Sequence, residues 1–172
     1  MKIFLIGYRC TGKTTVGRML AEQLESEFMD TDQYICQKTG MTIHQIVESS
    51  GWEKFRDLEK KALFSVQHIM EDMVVATGGG IVLDQDNRNF IRSKGRCIWL
   101  DADVRTIAHR MANDPATRDS RPCLSENSSI SDEISAMLNK RKPLYKKTAD
   151  IKIFVKTYSP EQIVTMIIRR LG

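Results

Sequence analysis

Long hydrophobic runs are missing from this chain of 172 residues. The longest apolar stretches are short, such as residues 3–6 and 74–76, whereas a membrane-spanning helix needs roughly 18 consecutive apolar residues. The few residues before Gly7 carry only one lysine and a short apolar run, which is too little for a secretory signal. We therefore predict a protein of the cytoplasm that has no membrane partner.

Cysteine and histidine patterns that bind metals or undergo redox chemistry are also missing. The four cysteines, Cys10, Cys36, Cys97 and Cys123, include no pair with CxxC spacing, and the three histidines are isolated from one another. Neither a zinc site nor a redox pair is indicated, and reduced thiols in the cytoplasm are the simplest interpretation.

No recognised nucleic-acid motif accompanies the net charge of +4 and the pI of about 8.9. The basic residues are scattered, apart from a cluster at residues 140–147. An excess of Lys and Arg serves anionic small molecules as well as it serves nucleic acid. We expect small-molecule partners, no nucleic acid, and a monomer.

Apolar runs that resemble buried strands alternate with helical patterns along the chain. The strand-like runs are residues 2–6, 28–29, 74–77, 96–100 and 151–155. The helical patterns begin at Lys13 and Pro160 or cover residues 32–38, 42–50, 52–70, 104–111 and 130–145. This alternation predicts an α/β protein, a single three-layer domain over residues 1–172 whose parallel sheet is covered on both faces. The polar stretch at 113–129 predicts a long loop, and loops of that length are usually functional or mobile.

The segment GYRCTGKT at residues 7–14 matches the pattern GxxxxGK[ST]. It follows a predicted strand and opens a predicted helix, which is the context of a phosphate-binding P-loop. Glycines let the backbone curl around a phosphate, and the helix N-terminus adds partial positive charge. Lys13 is expected to reach the β- and γ-phosphates of a nucleotide, and the Thr14 hydroxyl to ligate Mg²⁺.

The rest of the sequence narrows the class of P-loop protein. A GTPase switch usually carries an NKxD segment, and the nearest string, residues 139–142, lacks the Asp. Motor and transporter ATPases need far more chain. A compact kinase remains, which requires an acceptor pocket beside the γ-phosphate and a lid that excludes water.

Two carboxylates follow the second predicted strand, at Asp30 and Asp32. Neighbouring parallel strands would place them beside the P-loop, at the carboxyl edge of the sheet where ligands bind. One carboxylate can orient Mg²⁺ and its water, while the other holds the acceptor hydroxyl and takes its proton. The alternative is that Asp32 only caps the following helix, and both roles can coexist.

Three consecutive glycines, Gly78–Gly80, end the third predicted strand. Each ordered glycine costs about 1 kcal/mol relative to alanine, so such a run usually marks a close backbone approach. We expect the approach to be to substrate or γ-phosphate, and the alternative is a plain flexible turn. Arginines that could pair with a carboxylate or a phosphate through their planar fork stand at 56, 118, 121 and 141, although any one of them could be a solvated surface residue.

Taken together, these segments resemble the shikimate kinases over nearly the whole chain. The likeness rests on the P-loop at 7–14, DTD at 30–32, GWEKFRDLE at 51–59, TGGG at 77–80, RP at 121–122 and KRKPLY at 140–145. The resemblance implies a P-loop kinase fold with sheet order 2-3-1-4-5, substrate-binding helices at about 32–62 and a mobile lid at about 112–126. It also implies ATP-dependent phosphorylation of shikimate at its 3-hydroxyl, in aromatic amino-acid (chorismate) biosynthesis, with Mg²⁺ as cofactor.

The resemblance assigns roles to particular residues. Those implied to hold shikimate are Asp32, Arg56, Gly78, Gly79, Gly80 and Arg141. The two arginines would grip the carboxylate, and Asp32 would hold the hydroxyls and act as the base. Those implied to contact ATP are Cys10, Thr11, Gly12, Lys13, Thr14, Thr15, Arg110 and Arg121. Lys13, Asp32 and Arg121 would be catalytic, while Thr14 and Asp30 would serve Mg²⁺.

Two features depart from the family pattern. Arg9, Cys10 and Thr11 stand in the P-loop where small residues are common, and Arg9 could change nucleotide affinity. The lid reads RPCL rather than the commoner RPLL. The competing predictions are another small-molecule kinase of the same fold, acting on gluconate or a nucleotide, and a regulatory module that binds ATP without turnover.

Overall fold

The structure is a computed structural model that describes residues 1–113 and 130–172. The strands are β1 (Lys2–Ile6), β2 (Glu27–Asp30), β3 (Met73–Ala76), β4 (Arg96–Asp101) and β5 (Ile151–Phe154). The helices within these ranges are α1 (Lys13–Gln23), α2 (Thr31–Thr39), α3 (Ile43–Ser65), α4 (Gln85–Lys94), α5 (Val104–Ala112), α6 (Ile130–Thr148) and α7 (Pro160–Leu171). Short 3₁₀ turns occupy Val66–His68 and Ile81–Leu83. None of the helices in the described ranges is long and apolar enough to span a membrane.

The five strands form one parallel sheet in the order β2-β3-β1-β4-β5, which confirms the predicted order. The central strand β1 pairs with β3 on one side and β4 on the other, so that Phe4 lies between Val75 and Cys97. These strands are buried almost throughout, as their continuous apolar sequences predict for a parallel sheet. Their carboxyl ends bring the P-loop, the DTD segment and the glycine run to one edge.

Side chains alternate across the sheet and divide the interior into two clusters. The first core cluster, on one face, includes Phe4 and Val75 from the sheet and Phe55 from α3. The second core cluster, on the other face, includes Leu5 and Val16 together with Ile163 from α7. Burial of each large apolar side chain stabilises the folded state by about 1.5–3 kcal/mol, before the loss of conformational entropy on folding is subtracted.

Helix α3 differs from the prediction in its extent. A capping box between Thr42 and Gln45 starts it, and Gly51 bends it with non-helical angles of φ 78° and ψ 169°. The predicted helices at 42–50 and 52–70 are therefore two arms of one bent helix. The second arm ends at Ser65, which makes the predicted end at residue 70 wrong.

The prediction missed helix α4 altogether. Asp84 caps it by accepting hydrogen bonds from the backbone N–H groups of Asp86 and Asn87. Phe90 and Ile91 are its buried apolar residues, so the segment shows too little hydrophobic periodicity to indicate a helix.

Nearly all of the predicted lid at about 112–126, with Arg118 and Arg121, lies outside the described residues.

Candidate active site

The P-loop leaves β1 at Ile6 and enters α1 at Lys13. Gly7 and Gly12 both have positive φ angles, of 145° and 95°, which L side chains rarely adopt. A side chain at Gly7 would also collide with the carbonyl oxygen of Leu100 on the neighbouring strand. The glycines of the motif therefore permit the curl that brings backbone N–H groups and the start of α1 around one space.

Cys10 adopts a left-handed conformation without being glycine, with φ 62°. Left-handed backbone costs roughly 1–2 kcal/mol for an L-residue with a side chain. Arg110 helps to hold this conformation, because its guanidinium donates to the carbonyl oxygen of Cys10 at 3.2 Å and to that of Val155 at 3.3 Å. Arg110 thus fastens the P-loop to the end of β5.

Lys13 lies across the loop that it follows in sequence. Its ammonium group is buried and donates to the carbonyl oxygen of Tyr8 at 2.7 Å. The same carbonyl accepts the Thr11 hydroxyl at 2.8 Å. A cation held on this loop faces the space where the motif cradles phosphate.

Thr14 and Asp30, the two residues predicted to serve Mg²⁺, are hydrogen-bonded to each other. The Thr14 hydroxyl donates to the Asp30 carboxylate at 2.7 Å. A hydroxyl oxygen beside a carboxylate is a donor set that Mg²⁺ accepts, so these residues fit the ion. The described residues contain no cluster of three or more His, Cys, Asp or Glu that would hold a metal alone.

Asp30 also caps α2, which corrects the alternative proposed for Asp32. The Asp30 carboxylate accepts from the N–H groups of Asp32 at 3.0 Å and Gln33 at 3.2 Å. Asp32 occupies the second position of the helix instead of its cap. The Asp32 carboxylate is therefore not needed to start α2.

The glycine run is approached closely by side chains of the protein itself. A Cβ at Gly78 would lie 2.8 Å from the Asp32 carboxylate and would collide with that of Glu59, and one at Gly80 would collide with the Arg56 guanidinium. The run admits the acidic and basic side chains that line the same space. The predicted approach to substrate or phosphate stays a prediction.

Glu59 is a member of this group that the sequence prediction missed. Its carboxylate is buried and pairs with the Arg56 guanidinium one helical turn earlier. The aromatic rings of Trp52 and Phe55 flank that guanidinium at 5.4 and 5.5 Å. The available signal in the sequence was an acid three residues after an arginine in a predicted helix. The ion pair with Glu59 fixes the orientation of the Arg56 guanidinium.

Arg141 reaches the same run from α6. It is buried, donates to the Gly79 carbonyl oxygen at 3.2 Å and lies over the Tyr8 ring at 5.6 Å. Burial lowers the pKa of the Arg141 guanidinium from its usual value. The structure thus gathers Asp32, Arg56 and Arg141 around Gly78–Gly80, next to the P-loop.

A cavity of about 300 Å³ opens on the other side of the P-loop. Its walls are Cys10, Thr11, Gly12, Thr15, Val16, Arg110, Tyr158, Pro160 and Ile163. Arg110, which the resemblance implies contacts ATP, borders this cavity together with Tyr158 and Pro160. Arg9 is not among its walls, because its guanidinium lies 3.8 Å from the carboxylate of Glu133 on α6.

Cys10 gives a direct test of what fills this cavity. If a nucleotide occupies it, ATP is expected to slow the alkylation of Cys10 by iodoacetamide about 10-fold or more, because the thiol loses access to solvent. Peptide mass spectrometry measures the rate at each cysteine. Cys36, on α2, is the internal control and is expected to react at the same rate with and without ATP. Equal protection of both thiols would contradict nucleotide binding at this cavity.

The fold and this arrangement define a class of protein, a P-loop kinase. The P-loop and a cavity of about 300 Å³ adjoin a glycine run that is lined by a carboxylate and two arginines. Sequence and structure comparisons agree with this class. The model of the family described as "SKI: Shikimate kinase" matches residues 9–172.

Individual relatives agree with the family match. The chain is 43% identical over 169 residues to "Shikimate kinase 2" of Enterobacter sp. (strain 638), covering 98% of this chain and 94% of that protein. The solved shikimate kinase from Acinetobacter baumannii in complex with shikimate superposes with a TM-score of 0.90 at 33% identity, covering 99% and 92% of the two chains. A gluconokinase from Sinorhizobium meliloti 1021, with a TM-score of 0.58 at 16% identity over 99% and 92% of the two chains, shares the fold alone. The chain belongs to the shikimate kinase family.

Proposed function

We propose that the protein transfers the γ-phosphoryl group of ATP to the 3-hydroxyl of shikimate, giving shikimate 3-phosphate and ADP, as a step of aromatic amino-acid (chorismate) biosynthesis. ATP is the co-substrate of this family. The observation that carries the proposal is the pair of guanidinium groups, Arg56 and Arg141, that meet at Gly79–Gly80 beside Asp32.

The two arginines are proposed to bind the acceptor's carboxylate. A guanidinium presents two parallel N–H donors to the two oxygens of a carboxylate. Glu59 and the two aromatic rings fix Arg56 before the acceptor arrives, which reduces the entropy lost on binding. Asp32 lies beside Gly78 of the same run, where it is proposed to hold the acceptor's hydroxyls.

Phosphoryl transfer then needs one proton acceptor and a concentration of positive charge. The acceptor oxygen forms a bond to the γ-phosphorus, the bond from that phosphorus to the β–γ bridging oxygen breaks, and the hydroxyl proton passes to Asp32. Because the transition state is loose, Asp32 can take the proton late. Lys13 is proposed to stabilise charge on the phosphates, together with Arg121, which lies outside the described residues.

Magnesium is proposed to act with the residues that fit it, Thr14 and Asp30. When bound, the ion would neutralise negative charge on the phosphates. One oxygen of the Asp30 carboxylate accepts from the N-terminus of α2, and the other accepts from the Thr14 hydroxyl. The helix cap therefore also fixes the orientation of Asp30, the residue predicted to serve Mg²⁺.

ADP release from Mg²⁺-ATP, measured with shikimate, gluconate or a nucleoside monophosphate as acceptor, tests the proposal. We expect release that depends strongly on shikimate alone. Release that depends on another acceptor would contradict the assignment of Arg56 and Arg141. ATP binding without acceptor-dependent release would favour the regulatory module instead. A monomer in the cytoplasm stays a prediction, and sedimentation velocity checks the first part.

Arg56→Lys isolates the role of the fixed guanidinium. Lysine keeps the charge but loses the planar fork and its stacking, so the KM for shikimate is expected to rise about 10-fold or more, with the KM for ATP little changed. Steady-state kinetics with each substrate varied in turn measures both constants. The matched control is Arg169→Lys at an exposed position of α7, where neither constant should move. Equal rises in both KM values for Arg56→Lys would contradict a role confined to the acceptor.

A further inference from the structure

Tyr145 lies behind the acceptor pocket and has no assigned role. It follows Arg141 by four residues in α6, so the two side chains lie on the same face of the helix. Its ring is fully buried and stacks on Trp99 of β4, with ring centroids 5.7 Å apart. Its hydroxyl lies beyond this apolar contact and donates to the carbonyl oxygen of Gly79 at 2.5 Å.

A buried hydroxyl is costly unless it makes a hydrogen bond, and phenylalanine would provide the same stacking without that cost. Burial raises the pKa of the Tyr145 hydroxyl, so it stays protonated and remains a donor throughout the neutral range. The hydroxyl thus acts on the glycine run rather than on the packing of α6.

The Gly79 carbonyl oxygen accepts two hydrogen bonds, from the Tyr145 hydroxyl at 2.5 Å and from the Arg141 guanidinium at 3.2 Å. The same guanidinium is proposed to bind the acceptor's carboxylate. If Arg141 moves to bind a ligand, the Gly79 carbonyl loses the hydrogen bond from its guanidinium. Without a second donor this buried carbonyl would be unsatisfied, which is unfavourable. Tyr145 removes this conflict because it satisfies the carbonyl by itself.

The neighbouring carbonyls of the run are also held by the protein. Gly78 and Gly80 accept from the N–H groups of Ile81 at 3.1 Å and Leu83 at 3.0 Å, in the 3₁₀ turn that follows. In a trans peptide the C=O and N–H groups point in opposite directions, so fixing the Gly79 carbonyl also fixes the Gly80 N–H. Within residues 1–113 and 130–172, no hydrogen bond uses that N–H as donor.

We propose that Tyr145 is a positioning residue for the acceptor: it holds the Gly79 carbonyl, which leaves Arg141 available to the acceptor's carboxylate and keeps the Gly80 N–H in a fixed direction. The inference rests on the proposed function for the nature of the acceptor. Tyr145 itself touches neither substrate. Without its hydroxyl, Arg141 is the remaining side-chain donor to the Gly79 carbonyl and is held away from the acceptor.

The test compares Tyr145→Phe with Thr148→Val. Both remove a buried hydroxyl that donates to a backbone carbonyl from the same helix, since Thr148 donates to Leu144 at 2.8 Å. For Tyr145→Phe the KM for shikimate is expected to rise about 5- to 10-fold, the effect of one net hydrogen bond, while the KM for ATP stays within about twofold. For Thr148→Val both constants should stay near those of the unaltered protein.

A second measurement needs no substrate. Amide hydrogen exchange at Ile81 and Leu83, whose N–H groups donate to the carbonyls of Gly78 and Gly80, is followed by NMR in the ligand-free protein. It is expected to be about 10-fold faster in Tyr145→Phe and unchanged in Thr148→Val. If the unaltered protein fails to turn over shikimate, the proposed function is wrong, and this exchange result still decides whether Tyr145 holds the run.

Three outcomes would overturn the inference. They are an unchanged shikimate KM in Tyr145→Phe, equal rises in the KM values for both substrates, and equal exchange rates at Ile81 and Leu83 in all three proteins. Should Tyr145→Phe fail to fold, Trp99→Phe keeps the hydroxyl and loosens the ring that supports it. A smaller rise in the shikimate KM alone is then expected, and its absence would count against the inference.

Discussion

Lys13→Ala is expected to lower kcat by at least about 1,000-fold, because the site loses the cation that is proposed to stabilise the charge developing on the phosphates. The fold should survive the change. The Tyr8 carbonyl that accepts from Lys13 keeps its hydrogen bond from the Thr11 hydroxyl. Single-turnover kinetics at saturating ATP measures the effect on the chemical step, and the thermal unfolding midpoint verifies folding.

The matched control is Lys94→Ala, which removes an exposed lysine in the last turn of α4. It changes net charge by the same amount and should leave kcat within about twofold, as surface changes away from a site usually do. A folded Lys13→Ala protein that keeps more than a tenth of the original kcat would remove Lys13 from the proposed mechanism.

Asp32→Asn is expected to lower kcat by about 100-fold or more, which is the usual contribution of a positioned general base. The amide has the shape of the carboxylate but cannot take the acceptor's proton. Helix α2 should form normally, because Asp30 provides its cap and receives the Asp32 N–H in either protein. The KM for ATP is expected to change little, since Asp32 does not border the nucleotide cavity.

Asp57→Asn serves as the control, because it removes one exposed carboxylate from α3 and touches neither pocket. Unchanged turnover in Asp32→Asn would exclude Asp32 as the base.

The sequence predicted best those parts of the fold whose residues have few alternatives. Alternation of buried strands with helices predicted the parallel sheet, and the family resemblance supplied its order, which the structure confirms. The P-loop was readable because GxxxxGKT combines required glycines with a lysine at fixed spacing. Strand ends agree with the prediction to within one residue for β1 and β4, whose apolar runs stop at Gly7 and Asp101.

Residues that act through partners distant in sequence were not predictable in the same way. Glu59 stands three residues after Arg56, but exposed ion pairs on helices have the same spacing. Its burial against Gly78 and Arg56 is visible only in the structure. Tyr145 belongs to the segment KRKPLY, but its hydrogen bond joins it to Gly79, 66 residues earlier in the chain, and no pattern in the sequence indicates that contact. The cap of α2 was placed at Asp32 as an alternative, because spacing alone does not separate two aspartates two residues apart.

The division of the interior into two clusters has a consequence for how such an enzyme changes during evolution. Helices α2 and α3, which carry Asp32 and Arg56, pack into the first core cluster through residues such as Ile35 and Phe55. The nucleotide cavity is backed by Val16 and Ile163 of the second core cluster. Substitutions that reshape one pocket therefore repack side chains on one face of the sheet only.

Helix α6 is the exception, because Ile134 and Leu138 belong to the second core cluster and Tyr145 to the first. New acceptor preferences are thus accessible through α2 and α3 while ATP use is retained, whereas changes at Ile134 or Leu138 of α6 also repack the opposite face of the sheet. A library confined to α2 and α3 is the economical starting point for redesigning the acceptor.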